Sequence, residues 1–553
     1  MDKRTIIAVV LSVAILLAWQ YFFVPKVSEQ QKPHTAAQQG QPQAVAPAQP
    51  AEQQQAGAKG PQIAPVQVPQ QATAAGQPAI PGGQAAAPQA AATVKPAKRI
   101  TVETPKMTVT LTDIGGGITS VRLKDYKETL GQPEGKELIQ NIAPYRYLPT
   151  VSTMVGGQVE GDTVAFTPDR GDFTVSGKPE TITFKGKLPG GAVLTKRYTF
   201  APEGYMVGLS VQVDWGRRAG TMLIDFATMA LKEKSGYIFK GPFIYDGRKL
   251  EQIDKPEKPV NAGQAYAYAG FDEGYFSFIL RPQGQKADLL VTKVGSTPLE
   301  RLLAMGGNVA ATLYFVPNKI SLLKGLDINA DKIVDFGWFD IIAKPMLWGM
   351  NYSNRLTRNY GIDIILLTIL IKIIFYPLSL KSYKSMKNMQ KLQPKLAQLR
   401  EKYKDNKEKL NQEMMGIYKR EGINPLGGCL PMVIQIPVFF ALYRVLMAAI
   451  EFRHAPFMLW INDLAAPEDI FTMHVAGFAL PFRVLPLIMG VTMVIQQKMT
   501  PTGGDPMQAK MMMFMPIFFT FLFWGFPSGL VLYWLVNNVI SIGQQYYINK
   551  QVA

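Results

Sequence analysis

Five long apolar segments crowd the region from 360 to 542, running approximately Tyr360 to Leu380, Leu426 to Ile450, Ala476 to Ile495, Met511 to Phe526 and Pro527 to Ile542. A bilayer crossing needs about 20 such residues at roughly 1.5 Å each. A sixth run, Thr5 to Val24, follows a short MDKR leader and ends in Trp19, Tyr21, Phe22 and Phe23 rather than in a small-residue cleavage site. Aromatics there suit a membrane interface. The pattern predicts a polytopic α-helical membrane protein with six transmembrane helices. Residues 1–25 are read as a retained anchor with its N-terminus in the cytoplasm.

Charge tests this topology independently. From Lys381 to Gly422 there are 12 basic side chains against five acidic ones, a net of +7. The stretch between the third and fourth crossings has Glu451, Asp463, Glu468 and Asp469 against Arg453. Positive-inside orientation places the first loop in the cytoplasm and the second outside, so both termini are cytoplasmic. Within the basic loop, Tyr383, Met386, Met389, Leu392, Leu396, Leu399 and Tyr403 recur at helical spacing, and Leu410, Met414, Ile417 and Tyr418 repeat it. Residues 381–424 are therefore expected to form a cytoplasmic helical hairpin.

Between anchor and bundle lie two contrasting regions. Residues 26–97 are Gln, Ala, Pro and Gly with almost no large apolar side chain, the composition of a disordered tether. Residues 98–335 alternate apolar and polar positions in short runs such as MTVTLTD, AVLTKRYTF and NVAATLYFVP, punctuated by Gly and Pro. That pattern predicts a large exported all-β sandwich. From Lys98 to Asp340 there are 30 basic and 27 acidic residues, so this domain is nearly neutral and the total charge of +17 must arise elsewhere. Residues 336–358 read as an interfacial amphipathic helix with its connection, either lying on the outer membrane surface or packing the β domain onto the bundle. A five-helix core, 359–553, completes the chain.

Enzymatic and metal chemistry have few parts here. Cys429 is the sole cysteine, and His34, His454 and His474 are the only histidines. No catalytic group, metal site or cofactor is expected from them.

The informative residues are polar ones inside apolar segments. Lys372 interrupts LLTILIKIIFYPL, and a mid-bilayer charge costs about 2.5–3.5 kcal/mol on insertion scales. Counting eight residues to Leu380, about 12 Å at helical rise, a lysine cannot snorkel the whole way, so Lys372 should face a hydrated cavity. Thr368 lies one turn earlier on the same face. Gln435, Thr492, Gln496, Tyr533, Trp534, Asn537, Asn538 and Ser541 interrupt the other segments; interhelical hydrogen bonding accounts for Thr492, Gln496 and Asn538 individually. Asp363, near the outer end of its segment, is expected to meet headgroups or water. The last two segments look short, about 16 residues or roughly 24 Å, which would thin the bilayer. The fifth, MMMFMPIFFTFLFWGF, offers a soft Met- and Phe-rich surface to varied apolar partners.

The stretches FYPLSLKSYKSMKNMQKLQPK, QEMMGIYKREGINPLGGCLPMVIQIPVFFALY, LPLIMGVTMVIQQKM and DPMQAKMMMFMPIFFTFLFWGFPSGLVLYW resemble the YidC family of membrane protein insertases of Gram-negative bacteria. The resemblance covers nearly the whole chain. It implies an inner-membrane insertase and chaperone for nascent membrane proteins, working alone or with the Sec translocon, without enzymatic activity. The large domain would be periplasmic, a β-supersandwich of mutarotase-like form. Mutarotase chemistry depends on His with a carboxylate, and residues 98–329 contain no His.

The resemblance also implies roles. A hydrophilic groove open to cytoplasm and lipid would be lined by Lys372, Thr368, Gln435, Tyr533, Trp534 and Asn537. An apolar slide past the third and fifth crossings would use Met432, Phe439, Phe514, Ile517, Phe518 and Phe521. Lys384, Lys387, Lys391, Lys395 and Arg400 would dock the ribosome and the signal recognition particle receptor, with no sequence-specific nucleic-acid binding. The family usually carries Arg where this chain has Lys372, which argues against a guanidinium requirement here. The rival reading is a secondary transporter with an outer sugar-sensing domain. It expects inverted repeats and paired ionisable residues at depth, and the sequence shows no internal repeat and only one clear ionisable group there.

Overall fold

The computed structural model describes residues 97–553 except 140–145, 156–157, 228–238, 254–257, 285, 295–296, 306, 405, 423–429, 476–477, 500–505 and 553. The anchor, the tether and the NPLGGC motif fall outside the described residues, Ala97 excepted.

Period-two sequence becomes sheet, as expected. In Val193–Phe200 the side chains of Leu194, Lys196, Tyr198 and Phe200 point inward and the alternate ones are less buried. This strand pairs with Glu180–Lys187 and Met206–Asp214 in a nine-stranded antiparallel sheet that also holds Phe276–Gln283 and Asn308–Pro317. A six-stranded sheet contains Thr221–Phe226, Asp288–Val294 and Thr297–Met305. The two pack face to face, with the Phe226 ring 5.9 Å from that of Phe278. Arg99–Glu103, Met107–Thr112 and Gly117–Lys127 belong to a further five-stranded sheet.

Lys196 is a cation on an inward face, 0% exposed, and its surroundings compensate it. Its Nζ donates to Asp162 Oδ2 at 2.5 Å and to the Pro149 carbonyl at 2.7 Å. Asp162 accepts further bonds from the Tyr147 hydroxyl and the Val151 amide. Ion and counter-ion are both saturated, as burial demands.

The helices are α1 (Ile320–Lys324), α2 (Asp340–Thr357), α3 (Tyr360–Ile374), α4 (Tyr376–Lys402), α5 (Lys407–Arg420), α6 (Leu430–Ala448), α7 (Leu485–Met499), α8 (Pro506–Leu522) and α9 (Ser528–Val552). α2 buries Ala343, Met346, Leu347 and Met350 and contacts α3 and α6. Trp338 just before it and Ile341, Trp348 and Leu356 on its other face are strongly exposed. It is amphipathic, and its buried stripe packs on the core. α4 and α5 meet through Leu392, Leu396 and Ile417, with Lys395 paired to Glu421 at 3.1 Å.

Four expectations need correction. The segment Tyr360 to Leu380 is not one helix: α3 ends at Ile374 and α4 leaves at a bend of 63°. Pro377, in the first turn of α4, supplies no amide for a continuing ladder and crowds the preceding turn. The fourth segment is not helical over Phe478–Phe482. Phe471–Val475 and Phe478–Phe482 form an antiparallel hairpin, and α7 starts only at Leu485, with Pro486 in its first turn. The last segment is not short, because α9 extends over 25 residues, roughly 38 Å. Polar Gln544, Gln545, Tyr546 and Tyr547 hide this extension from a hydropathy reading. Asp363 meets neither headgroups nor water: it is 0% exposed and accepts from Ser353 Oγ at 2.6 Å, Asn354 Nδ2 at 2.7 Å and Thr357 Oγ1 at 2.8 Å. A tight turn at Arg358 and Asn359 folds the polar end of α2 over the first turn of α3, where a carboxylate also favours the helix dipole.

Among the described residues no single helix is long and apolar enough to cross a membrane; α3 and α4 pass that test together.

Glu300, in Thr297–Met305, carries a testable pH dependence. It is 1% exposed and its Oε1 has no hydrogen-bond partner among the described residues. Burial pushes its carboxyl from 4.5 up to about 8. The folded chain thus holds a proton that the unfolded chain releases, so Glu300's contribution to stability is full below the unfolded value and is lost as pH rises towards the folded one. Glu300→Gln fixes the neutral form. It should raise the thermal midpoint of the full-length protein at about pH 9 and leave it unchanged at about pH 4, read by the loss of β-sheet circular dichroism.

Candidate functional site

α9 organises the polar residues of the bundle. Tyr533, Asn537, Ser541 and Gln545 follow one another at four-residue spacing, so they form a stripe about 18 Å long on one helix face. Its apolar surroundings make each member's partner decisive. At the top, Gln435 Nε2 of α6 donates to the buried Tyr533 hydroxyl. Lower down, Lys372 Nζ of α3 donates to Ser541 Oγ at 2.6 Å, and Ser541 donates on to the Asn537 carbonyl at 2.7 Å. The Tyr383 side chain of α4 also lies beside Ser541. At the bottom, Gln545 Nε2 donates to the Met499 carbonyl at the end of α7, 2.6 Å away.

Two features make this seam unlike ordinary interhelical packing. Lys372 has a neutral partner, and among the described residues no carboxylate pairs with it. Its charge is supported instead by position: the bend after Ile374 places Lys372 in the last turn of α3, where free carbonyls give the helix its negative end. Counting residues to Leu380 overstates its depth, because the helix bends well before Leu380. The second feature is Asn537 Oδ1, which is buried and unpartnered among the described residues. A buried amide oxygen of that kind costs about 1–3 kcal/mol unless something donates to it. Water or a substrate amide entering the seam would do so.

The expected groove residues do not all share one place. Thr368 is fully buried, and its hydroxyl bonds the Ile364 carbonyl of its own helix at 2.6 Å, one turn above Lys372. Trp534 turns away from the stripe into an aromatic cluster, its ring 5.4 Å from Phe439, 5.2 Å from Phe523 and 6.3 Å from Phe519. Asn538 bonds Thr492 across α7 and α9 at 3.2 Å.

On α8, Phe514, Ile517, Phe518 and Phe521 fall at i, i+3, i+4 and i+7 and are all exposed, Phe521 by 71%. They form one outward face. Phe439 is half-buried in the aromatic cluster behind it, and the Met432 side chain lies outside what is described. Sequence reasoning missed Val433 and Ile436, the exposed apolar residues of α6, because a segment apolar all round gives no periodic signal. It also missed Tyr383 and Gln545 as neighbours of the seam. The four-residue repeat from Tyr533 to Gln545 was the available signal for Gln545.

Lys384, Lys391 and Lys395 are exposed along α4, Lys387 and Arg400 partly so. Substitution at Asp363 tests the rigidity that holds this site. Asp363→Ala leaves the Ser353, Asn354 and Thr357 donors without their acceptor in a buried place, and should lower stability by about 3 kcal/mol or more. A scanning-fluorimetry midpoint within a degree of wild type in detergent would contradict that assignment.

Residues 99–349 match the family described as YidC periplasmic domain, and residues 352–553 match the 60Kd inner membrane protein family. A membrane protein insertase YidC of Geobacter sulfurreducens is 42% identical over 471 residues, covering 82% of this chain and 86% of that protein. One of Syntrophus aciditrophicus is 38% identical over 586 residues and covers both chains fully. Among solved structures, an active YidC insertase with its first transmembrane domain resolved aligns at 20% identity and a TM-score of 0.38, covering 82% of this chain and 93% of that one.

Proposed function

The chain belongs to the YidC family of membrane protein insertases, and we propose that it inserts nascent membrane proteins by passing their polar ends along the α9 seam while their apolar segments leave over α8 and α6. The observation that carries this reading is Lys372, which has no carboxylate partner among the described residues, joined through Ser541 to Asn537, whose Oδ1 is unpartnered among them.

The physical argument is differential. A carboxylate crossing lipid alone pays several kcal/mol. Beside Lys372 it meets a cation whose only side-chain partner among the described residues is a hydroxyl, so pairing replaces lost hydration without breaking an existing ion pair. Asn537 and Gln435 can donate as well as accept, which serves backbone and amide groups of either polarity. Meanwhile the exposed Phe514, Ile517, Phe518 and Phe521 offer the apolar segment dispersion contacts no weaker than lipid does. Nothing covalent is required of the site.

In this reading the core crosses the membrane five times and the N-terminal run once. The N- and C-termini and the α4–α5 pair face the cytoplasm, and Lys384, Lys387, Lys391, Lys395 and Arg400 form the surface for ribosome and receptor; the positive-inside rule supports this orientation. The Sec translocon is a further partner of the same reading. The β domain, of mutarotase-like form, serves as scaffold or partner-binding face rather than as a catalyst, since residues 98–329 lack the His of that chemistry.

Lys372→Glu should abolish insertion of substrates with acidic translocated tails in depleted cells while the variant still accumulates in the membrane. Lys372→Arg should insert normally. Full insertion by Lys372→Glu would remove the charge from the mechanism. Photo-cross-linkers at positions 435 and 518 should both capture stalled nascent chains, the first through polar and the second through apolar segments. Solute flux in proteoliposomes without such cross-links would instead favour transport.

A further inference from the structure

Where the start of α4 meets the ends of α7 and α9 there is a cavity of about 300 Å³. Lys387 and Lys498 line it from opposite elements, Gln390, Gln545 and the Tyr383 side chain add polar groups, and Met386 and Met499 complete the wall. No carboxylate is among the described lining residues. Two cations with amide donors and no counter-charge make a site for an anion with several acceptor oxygens.

We propose that this cavity binds a phosphate group, with the headgroup of an anionic membrane lipid as the source that the lining favours. Three observations carry it. The lining is amphipathic: the methionines would meet the glycerol and acyl portion of a lipid, whereas a free anion gains nothing from them. The wall is fixed, because Gln545 Nε2 ties α9 to the Met499 carbonyl at 2.6 Å. The volume is at the small end of ligand pockets, the scale of a headgroup rather than of a protein segment. The site also adjoins the seam, since Tyr383 lines the cavity and lies beside Ser541, the partner of Lys372. A headgroup bound there would hold α4 against α9 and so keep Ser541 placed beside Lys372. The lipid source rests on the reading that α7 and α9 cross the bilayer, with their ends at headgroup level.

The test uses the purified full-length protein without substrate, so its outcome is independent of insertion. Native mass spectrometry should show retained phosphatidylglycerol in preference to phosphatidylcholine. Lys387→Ala combined with Lys498→Ala should weaken that retention by roughly tenfold or more, since each lysine near an anionic surface contributes severalfold. Lys402→Ala combined with Lys419→Ala, which removes the same charge outside the cavity, should not. Displacement of the lipid by millimolar inorganic phosphate in wild type, lost in the cavity variant, would support the phosphate site and assign it to the free ion. Equal losses in both double variants, or no preference over phosphatidylcholine, would overturn the proposal. So would cross-linking from position 498 to the acidic tail of a nascent chain in the absence of any lipid preference.

Discussion

The bend between α3 and α4 sets the terms for the rest of the bundle. Pro377 prevents a continuous helix from Tyr360 to the basic loop, so α3 ends at Ile374 with Lys372 in its last turn, at the negative end of the helix dipole. A lysine inside an uninterrupted apolar helix would have no such support. The same break redirects α4 by 63°, which brings Tyr383 back to Ser541 and closes the lower end of the seam. One proline thereby positions the cation, its hydroxyl partner and the basic helix that follows.

The outer end is held by different means. Asp363 gathers Ser353, Asn354 and Thr357 and so locks α2 to α3. Arg453, in the connection after α6, donates to the carbonyls of Lys127 and Glu128 at 2.9 Å each and lies over the Phe276 ring. The β domain is therefore fastened to the bundle by backbone acceptors rather than by exposed ion pairs, which contribute little in water. The seam holds Asn537 Oδ1, unpartnered among the described residues, and a cavity lies at its lower end.

Sequence revealed what depends on local pattern. Alternation in VLTKRYTF gave the strand and its inward face, and Lys372 and Asn537 stood out because lipid-like surroundings make polarity conspicuous. What it hid depends on partners distant in the chain. Asp363 looked like a residue for the interface until α2 folded over it. Trp534 entered the groove set through the family resemblance; it lies one residue, a rotation of about 100°, from Tyr533, and its ring sits in the Phe439 cluster. The strand Phe478–Phe482 was read as part of a helix because a short apolar run has the same hydropathy in either state. Gln545 was lost for the converse reason, since hydropathy falls before α9 ends.

Two lysines in this chain show why the choice of partner decides function. Lys196 and Lys372 are both withdrawn from water, and each has a close acceptor at 2.5–2.6 Å. Lys196 faces Asp162, which is itself held by Tyr147 and the Val151 amide, so its charge is spent within the fold and any incoming anion would have to displace a better-placed one. Lys372 faces Ser541, a dipole that orients the ammonium without cancelling it. The cost of leaving that charge without a counter-ion is moderated by the end of α3, and in the proposed insertion role it would be recovered when a substrate carboxylate arrives. A glutamate or aspartate in place of Ser541 would make the resting bundle more comfortable and the incoming pair less favourable by a similar amount. A neutral partner is thus the arrangement in which a buried cation stabilises passing cargo more than it stabilises the protein that holds it.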